Sequence, residues 1–132
     1  MISAFTVWME DSGDPTEELE SNLTKSERAE MRMIRNPGRA HDFCLSRLML
    51  RRLMREQLPN ATATELTRER SGRLVLSGAP GWHISVSHCP GRIAVMLAAA
   101  PCGVDIEVFR EIAWQKIARR YFSRGEQEWL AS

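Results

Sequence analysis

Hydrophobic residues recur along this chain with two periods, one typical of strands and one typical of helices. Four stretches rich in β-branched, aromatic or alternating apolar residues have the strand pattern. They are residues 2–9, 82–88, 92–99 and 103–108. Helical patterns cover residues 24–35, 39–58 and 112–121, and a further helix begins at Ser123. These elements predict an α+β fold, in which an antiparallel sheet is packed by the two longer helices.

The longest predicted helix, residues 39–58, divides into an apolar half and a cationic half. Its apolar half contains Phe43, Leu45, Met49, Leu50, Leu53 and Met54, and its cationic half contains Arg47, Arg51, Arg52 and Arg55. At about 100° per residue the apolar side chains share one side of the cylinder, which predicts a core-facing helix with a cationic outer face. Such a face either binds phosphate or is simply solvated.

The distribution of charge is uneven, although the 132 residues carry a formal net charge of only +1. Residues 1–30 sum to −6, residues 31–73 to +6 and residues 74–132 to +1, and every base in the middle segment is arginine. The planar guanidinium suits phosphate recognition. Aromatic residues are not interleaved with these arginines, so we expect no nucleic-acid partner.

Length and segment composition exclude several classes of protein. The length suits one ordinary domain, and no apolar run approaches the roughly 20 residues that span a bilayer. The N-terminus has no basic region and is acidic by Glu10, so we expect no signal peptide. Cys44, Cys89 and Cys102 lack zinc-site spacing. Reduced thiols in a cytoplasmic protein without a membrane anchor are therefore expected.

The segment from Gly103 to Glu107 is the sharpest candidate for chemistry. Asp105 and Glu107 alternate with apolar residues, so an extended chain places both carboxylates on one face, about 6–7 Å apart. A hard cation such as Mg²⁺ commonly binds one or two carboxylates together with substrate phosphates. The same pattern is also found on ordinary solvated strands.

Three other positions have both a functional and a structural interpretation. His88 follows Ser87 at the predicted end of a strand, where it would bind phosphate or cap the turn. Arg73 follows Gly72 in a segment that suits a nucleotide contact or a plain polar turn. Glu126 lies three residues after Ser123, which is the spacing of a capping box.

In combination these motifs resemble those of the phosphopantetheinyl transferases, in particular the larger surfactin-synthetase-activating type. The family pattern is Gly-Lys-Pro, Phe-Asn-x-Ser-His, Gly-x-Asp-x-Glu and Phe-Ser-x-x-Glu-x-x-x-Leu. The corresponding segments here are Gly72-Arg73-Leu74, Ile84-Ser85-Val86-Ser87-His88, Gly103-Val104-Asp105-Ile106-Glu107 and Phe122 to Leu130. The resemblance runs from about Leu23 onward and preserves both order and spacing.

The resemblance implies a reaction and a set of roles. Such enzymes move the 4′-phosphopantetheine arm of coenzyme A to a serine of an acyl or peptidyl carrier protein and release 3′,5′-ADP. Asp105 and Glu107 would then hold Mg²⁺ against the pyrophosphate. Ser87 and His88 would bind phosphate groups of coenzyme A, and Arg73 would lie beside its adenosine. Glu126 would be the catalytic residue that assists the metal site, or would only orient its helix.

The sequence also departs from the family pattern. Arg73-Leu74 replaces Lys-Pro, and Glu27 and Glu30 stand where relatives often place lysines for the 3′-phosphate. The family's Trp-x-x-Lys-Glu motif is not reached by Ser132. We therefore expect a shortened transferase, with residues 1–101 as its first half and residues 102–132 as the opening strand and helices of an incomplete second half.

Two functions stay open at this point. The chain is either an active transferase or a catalytically incomplete module that binds coenzyme A or a carrier protein without turnover. If a second half normally covers one face of the sheet, its absence leaves an apolar surface that favours a homo-oligomer.

Overall fold

The protein has an α+β fold, as predicted, and the computed structural model describes residues 4–10, 16–60 and 64–132. In chain order the elements are β1 (Ala4–Glu10), α1 (Thr16–Glu20), α2 (Lys25–Arg32), α3 (Pro37–Gln57), β2 (Glu65–Arg68), β3 (Leu74–Ser77), β4 (His83–Cys89), β5 (Arg92–Ala98), α4 (Trp114–Tyr121) and α5 (Arg124–Leu130). Two small antiparallel sheets pack against the helices. Within the described ranges, no helix has both the length and the apolar character needed to cross a bilayer.

The larger sheet has three antiparallel strands in the order β1–β5–β4. On one side of β5, Ala4 pairs with Ala98; on the other side, His83 pairs with the same residue. The predicted strands at 2–9, 82–88 and 92–99 are thus confirmed as β1, β4 and β5, except for residues 2 and 3, which lie outside the described residues. The central strand β5 is buried along most of its length.

A tight turn joins β4 to β5 and aligns the two strands. Cys89 pairs with Arg92, which leaves Pro90 and Gly91 as the two turn residues. Proline fixes the first turn position near φ −65°, and Gly91 takes a φ of 74°, which a residue with a Cβ rarely adopts. The two strands, which the Pro-Gly pair between them predicts to be a hairpin, do form one.

The prediction of a strand over residues 103–108 is wrong. This segment runs beside β4 but forms no backbone ladder with it. Instead, the amides of Val104 and Ile106 donate to the side-chain hydroxyls of Ser85 and Ser87, both at 3.1 Å. The alternating pattern therefore describes an extended segment, which we call the strap (residues 103–107), held by serine side chains instead of strand carbonyls.

Three short elements of the structure have no predicted counterpart in the sequence. Helix α1 has only five residues, and the hairpin β2–β3 has two strands of four residues each. Elements of this length contain too few repeats for periodicity to reveal them. Strand β2 lies within the polar stretch of residues 61–71, of which residues 61–63 are outside the described residues. The Asp, Ser, Gly and Pro content of residues 11–15 predicts a loop, and this segment also lies outside the described residues.

The hydrophobic core lies between α3 and the larger sheet. Leu45, Leu50, Ile93, Val95 and Leu97 are almost completely buried there. Helix α3 thus presents its apolar side to β5, as its sequence predicts. The helix begins two residues earlier than the predicted start at residue 39, since Asn36 caps α3 and Pro37 occupies its first turn, where a missing amide proton costs nothing.

Helix α2 begins with a capping box whose glutamate has a second task. The Glu27 amide donates to Thr24 Oγ1 at 3.2 Å, and the Thr24 amide donates to Glu27 Oε2 at 2.9 Å. The same Oε2 accepts a hydrogen bond from Arg51, and Glu27 Oε1 lies 3.4 Å from Arg47 Nε. One carboxylate therefore caps α2 and joins it to α3.

The expectation that Arg47 belongs to an outer cationic face is wrong. Only 3% of Arg47 is exposed, and its guanidinium lies over the ring of Phe43 at 4.3 Å. The carboxylates of Glu27 and Glu30 on α2 supply the counter-charge that burial of a guanidinium requires. Of the four arginines predicted to share that face, Arg52 and Arg55 are exposed and Arg51 is half-buried.

We expect Glu27→Gln to lower the free energy of unfolding by about 3 kcal/mol, because it leaves the buried Arg47 without its nearest carboxylate. Urea denaturation at neutral pH measures the change. Glu56→Gln is the matched control, since it removes an exposed ion pair with Arg52 and should cost less than about 1 kcal/mol. Equal effects of the two substitutions would contradict the prediction.

The same carboxylate should make the stability dependent on acid pH. Burial alone would raise the pKa of Glu27, but hydrogen bonds from Arg51 and Thr24 outweigh it and lower the pKa below the ordinary value of 4.5. Its contribution is therefore complete above pH 4.5 and is lost as the pH falls through the lower folded-state pKa. The Glu27→Gln protein should show a shallower loss of stability over that acid range.

Candidate functional site

A cavity of about 950 Å³ lies between the start of α3 and the strands β3 and β4. Its lining includes five arginines, one histidine and two acids. They are Arg35, Arg39, Arg47, Arg68, Arg73, His88, Glu30 and Asp42. With histidine neutral, the formal charge of this lining is +3, so the cavity favours an anionic ligand. Its volume lies within the range of small-molecule sites.

The turn before β3 places Arg73 at this cavity. Gly72 has a φ of 86°, and its carbonyl accepts a hydrogen bond from Arg68 Nη1 at 2.7 Å. The Glu69 amide also donates to the carbonyl of Arg73 at 2.9 Å. The turn is therefore fixed by the positive φ of Gly72 and by the hydrogen bond from Arg68, which itself lines the cavity. Arg73 is exposed and lies in the cavity lining, as a ligand-binding residue requires.

His88 and Ser87 lie on opposite faces of β4, because side chains alternate along a strand. His88 is exposed and lines the cavity together with Val86 and Arg73. Ser87 does not line it and contacts the strap instead. The residues predicted to bind coenzyme A are thus divided between the two faces of one edge strand.

The strap positions the predicted metal-binding pair. Its apolar residues Val104 and Ile106 are half-buried, whereas Asp105 and Glu107 are exposed. Ser87 Oγ donates to Asp105 Oδ1 at 2.8 Å, while the same Oγ accepts the Ile106 amide. One serine therefore fixes both the backbone of the strap and the orientation of its first carboxylate.

The donor set at the strap contains two carboxylates and no third ligand. Among the residues that the structure describes, no group of three histidine, cysteine or acidic side chains is arranged to hold a metal ion. Mg²⁺ requires fewer protein ligands than Zn²⁺, since water and substrate phosphates complete its octahedron. Asp105 and Glu107 therefore do not form an all-protein cage, and two carboxylates are a donor set compatible with Mg²⁺ only where phosphate and water supply the other ligands, so their metal-binding role stays a prediction.

Glu126 serves as a capping residue in this structure. It accepts hydrogen bonds from the Ser123 amide and hydroxyl, both at 2.7 Å, and its own amide donates to Ser123 Oγ. The Ser123 hydroxyl and amide lower the pKa of Glu126, so it is ionised at neutral pH. The structure thus shows the capping role, while the predicted catalytic role stays a prediction.

The cysteines are free thiols, as expected, and one of them lies at the cavity. Cys44 and Cys89 are buried, and Cys102 is half-buried in the cavity lining. Burial raises the pKa of the Cys102 thiol, although Arg73 opposes the change. Cys102 is therefore protonated at neutral pH and is a poor nucleophile.

Arg35 and Arg39 line the cavity although no sequence motif marks them as site residues. Both are exposed in the cavity lining, Arg35 in the connection between α2 and α3 and Arg39 in the first turn of α3. Their only signal in the sequence is membership in the arginine-rich middle segment. A second cavity, of about 1240 Å³ between α2, α3 and β2, is lined by none of the predicted site residues.

Comparison with known proteins assigns no family to the chain. No protein-family model matches it, and no curated protein matches it either.

We expect the double substitution Ser85→Ala, Ser87→Ala to release the strap. Each serine accepts one strap amide, and losing a hydrogen bond worth about 1 kcal/mol should speed amide hydrogen exchange about fivefold. Exchange rates of the Val104 and Ile106 amides measure the effect. Ser77→Ala, which removes a hydroxyl from the other hairpin, should leave both rates unchanged. Unchanged rates in the double variant would refute this account of the strap.

Proposed function

We propose that this chain binds coenzyme A and transfers its 4′-phosphopantetheine arm to a serine of an acyl or peptidyl carrier protein. The observation that carries the proposal is the placement of two motif groups on one edge strand. β4 presents His88 to a cationic cavity and Ser87 to the strap with its two carboxylates. A diphosphate ligand needs both kinds of group, cations for its charge and carboxylates for its divalent metal.

The transfer is a phosphoryl transfer, so the main tasks of the protein are positioning and charge neutralisation. The carrier serine oxygen forms a bond to the phosphorus that bears pantetheine. The bond from that phosphorus to 3′,5′-ADP breaks, and the serine proton passes to water. In this proposal His88 binds the diphosphate of coenzyme A and Arg73 lies beside its adenosine, both from the cavity lining.

The strap supplies the acidic part of the site. Asp105 and Glu107 would hold Mg²⁺, whose chemistry is to neutralise the charge that develops as the phosphate bond breaks. Ser87 keeps Asp105 in place through its hydroxyl. Since Oδ1 of Asp105 accepts that bond, Oδ2 is the oxygen left to face a cation.

The second candidate is a module that binds coenzyme A or a carrier protein without turnover. The observation that favours it is the small number of metal ligands, since the strap offers only two carboxylates, both of them exposed. Glu126 is engaged as a helix cap, which offers no separate support for catalysis. The two candidates share the ligand and differ in whether the bond to phosphorus is broken.

Incubation with coenzyme A, Mg²⁺ and an apo carrier protein tests the proposal. We expect mass spectrometry to show the carrier gaining one phosphopantetheine group. Asp105→Ala and Glu107→Ala should each slow transfer by about 100-fold or more, since a metal clamp supplies several kcal/mol to such reactions. Glu111→Ala is the matched control, because this exposed acid lies just beyond the strap.

The possible outcomes separate the two candidates. Transfer that depends on Asp105 and Glu107 but not on Glu111 supports the enzyme. Binding of coenzyme A without any mass gain supports the module and contradicts the transferase. Transfer that survives both strap substitutions would show that the carboxylates have no part in the reaction.

We also expect the chain to self-associate. Nine of its large exposed hydrophobic residues lie between Val108 and Leu130, among them Phe109 at 97% and Trp129 at 75% exposure. Apolar surface of this extent favours association. Sedimentation equilibrium should show an average mass that rises with concentration, and Trp129→Glu should weaken that rise. Met33→Glu, at an exposed hydrophobic residue elsewhere, is the control. A monomeric mass at every concentration would contradict the expectation.

A further inference from the structure

The second cavity, of about 1240 Å³, has a lining of its own on the far side of the α2–α3 ion pairs. Helix α3 and its C-cap residue contribute one stripe to it at helical spacing, and the start of α2 and strand β2 supply the rest. The stripe consists of Arg47, Arg51, Met54, Arg55 and Leu58. It runs from the buried Arg47 to the exposed Arg55, so the cavity extends from the interior to the surface.

One wall of this cavity is apolar. Leu58, Leu66 and Leu74 are half-buried, and each packs against the hydrophobic core while it also lines the cavity. Met54 belongs to the same lining and is buried. Covering such a wall with a hydrocarbon chain removes apolar surface of both partners from water, which is favourable in proportion to the area covered.

The charged residues of the lining favour a negative ligand. Five of them are bases and three are acids, which gives a formal charge of +2. They are Lys25, Arg47, Arg51, Arg55 and Arg68, and Glu27, Glu30 and Glu65. Two of the acids are already bonded to arginines, since Glu27 accepts a hydrogen bond from Arg51 and Glu30 accepts one from Arg68. The combination of an apolar wall with an excess of cations matches an amphipathic anion.

The two cavities of the protein are neighbours but differ in chemistry. Glu30, Arg47, Arg68 and Leu74 belong to both linings and therefore lie between the two cavities. The first cavity contains His88 and more arginines, whereas the second contains neither a histidine nor any residue of the strap. A ligand of the second cavity is thus a separate molecule, and its site is distinct from the candidate site.

We propose that the second cavity binds an amphipathic anion, a hydrocarbon chain with one carboxylate head group. The chain lies against Leu58, Leu66 and Leu74. Arg68 is exposed but is bonded to Glu30, so the carboxylate is assigned to the other exposed bases of the lining, Lys25 and Arg55. This inference does not rest on the proposed function, since it involves neither coenzyme A nor a carrier protein.

Titration calorimetry of the unaltered chain with decanoate, butyrate and 1-decanol tests the proposal. Decanoate should bind. Butyrate should bind at least about 100-fold more weakly, because its short chain lacks most of the methylene groups that the apolar wall would cover. 1-Decanol keeps the chain and lacks the charge, so it should bind about tenfold more weakly than decanoate.

Substitution of the two assigned cations tests the head-group site. In the double variant Lys25→Gln, Arg55→Gln, affinity for decanoate should fall by about tenfold, whereas affinity for 1-decanol should change less than about twofold. The matched control is Arg28→Gln, Arg52→Gln, which removes one exposed cation from each of the same two helices outside both cavity linings. This control should bind decanoate like the unaltered chain.

Methyl NMR locates the bound chain. Decanoate should shift the methyl resonances of Leu58, Leu66 and Leu74 and should leave those of Leu130 unchanged, because Leu130 lies in the exposed apolar segment far along the chain. Shifts confined to Leu130 would overturn the proposal, as would a failure of decanoate to bind. Equal affinity for decanoate and 1-decanol, or unchanged decanoate affinity in the Lys25, Arg55 double variant, would also overturn it.

Discussion

The structure depends on one buried carboxylate. Glu27 closes the capping box of α2 and accepts a hydrogen bond from Arg51, while its other oxygen lies beside the buried Arg47. A guanidinium taken out of water is costly unless a counter-charge accompanies it, so Arg47 is tolerated in α3 only because α2 lies against it. Arg68 extends the same network to the β2–β3 hairpin through Glu30. Helix, hairpin and cavity wall are thus fixed relative to one another by polar contacts outside the apolar core.

The edge strand β4 carries the second constraint. Its apolar side packs on the core, and its hydroxyl side holds the strap. A backbone ladder at this edge would have fixed the strap through strand carbonyls and would have made its position insensitive to side chains. With two serines in that role, the placement of Asp105 depends on Ser87 directly. The geometry of the candidate site therefore depends on Ser85 and Ser87, although the alternating pattern of β4 is that of any half-buried strand.

The elements that periodicity predicts correctly are those with several repeats and clear end signals. Helix α3 has 21 residues, a proline in its first turn and a continuous apolar side, and β4 and β5 have seven residues each joined by Pro90-Gly91. Alternation over residues 103–108 predicts extended backbone correctly but cannot tell which group accepts its amides, so the strand assignment is wrong there. The burial of Arg47 could not be predicted from local periodicity either, because the acids that neutralise it lie about twenty residues earlier in the chain.

In the candidate site, too, the features set by neighbouring residues in the chain could be predicted from the sequence, whereas those set by tertiary packing could not. Motif spacing places Asp105 and Glu107 on one exposed side, and the structure agrees, since this depends only on neighbours in the chain. Membership of Arg35 and Arg39 in the cavity depends instead on how α2, α3 and β3 meet. Whether a given arginine is a structural or a ligand-binding cation is decided by the acids around it, and here α2 neutralises Arg47, Arg51 and Arg68. The charge excess of residues 31–73 is thereby partly concentrated at one cavity, whose lining contains five of the ten arginines of that segment.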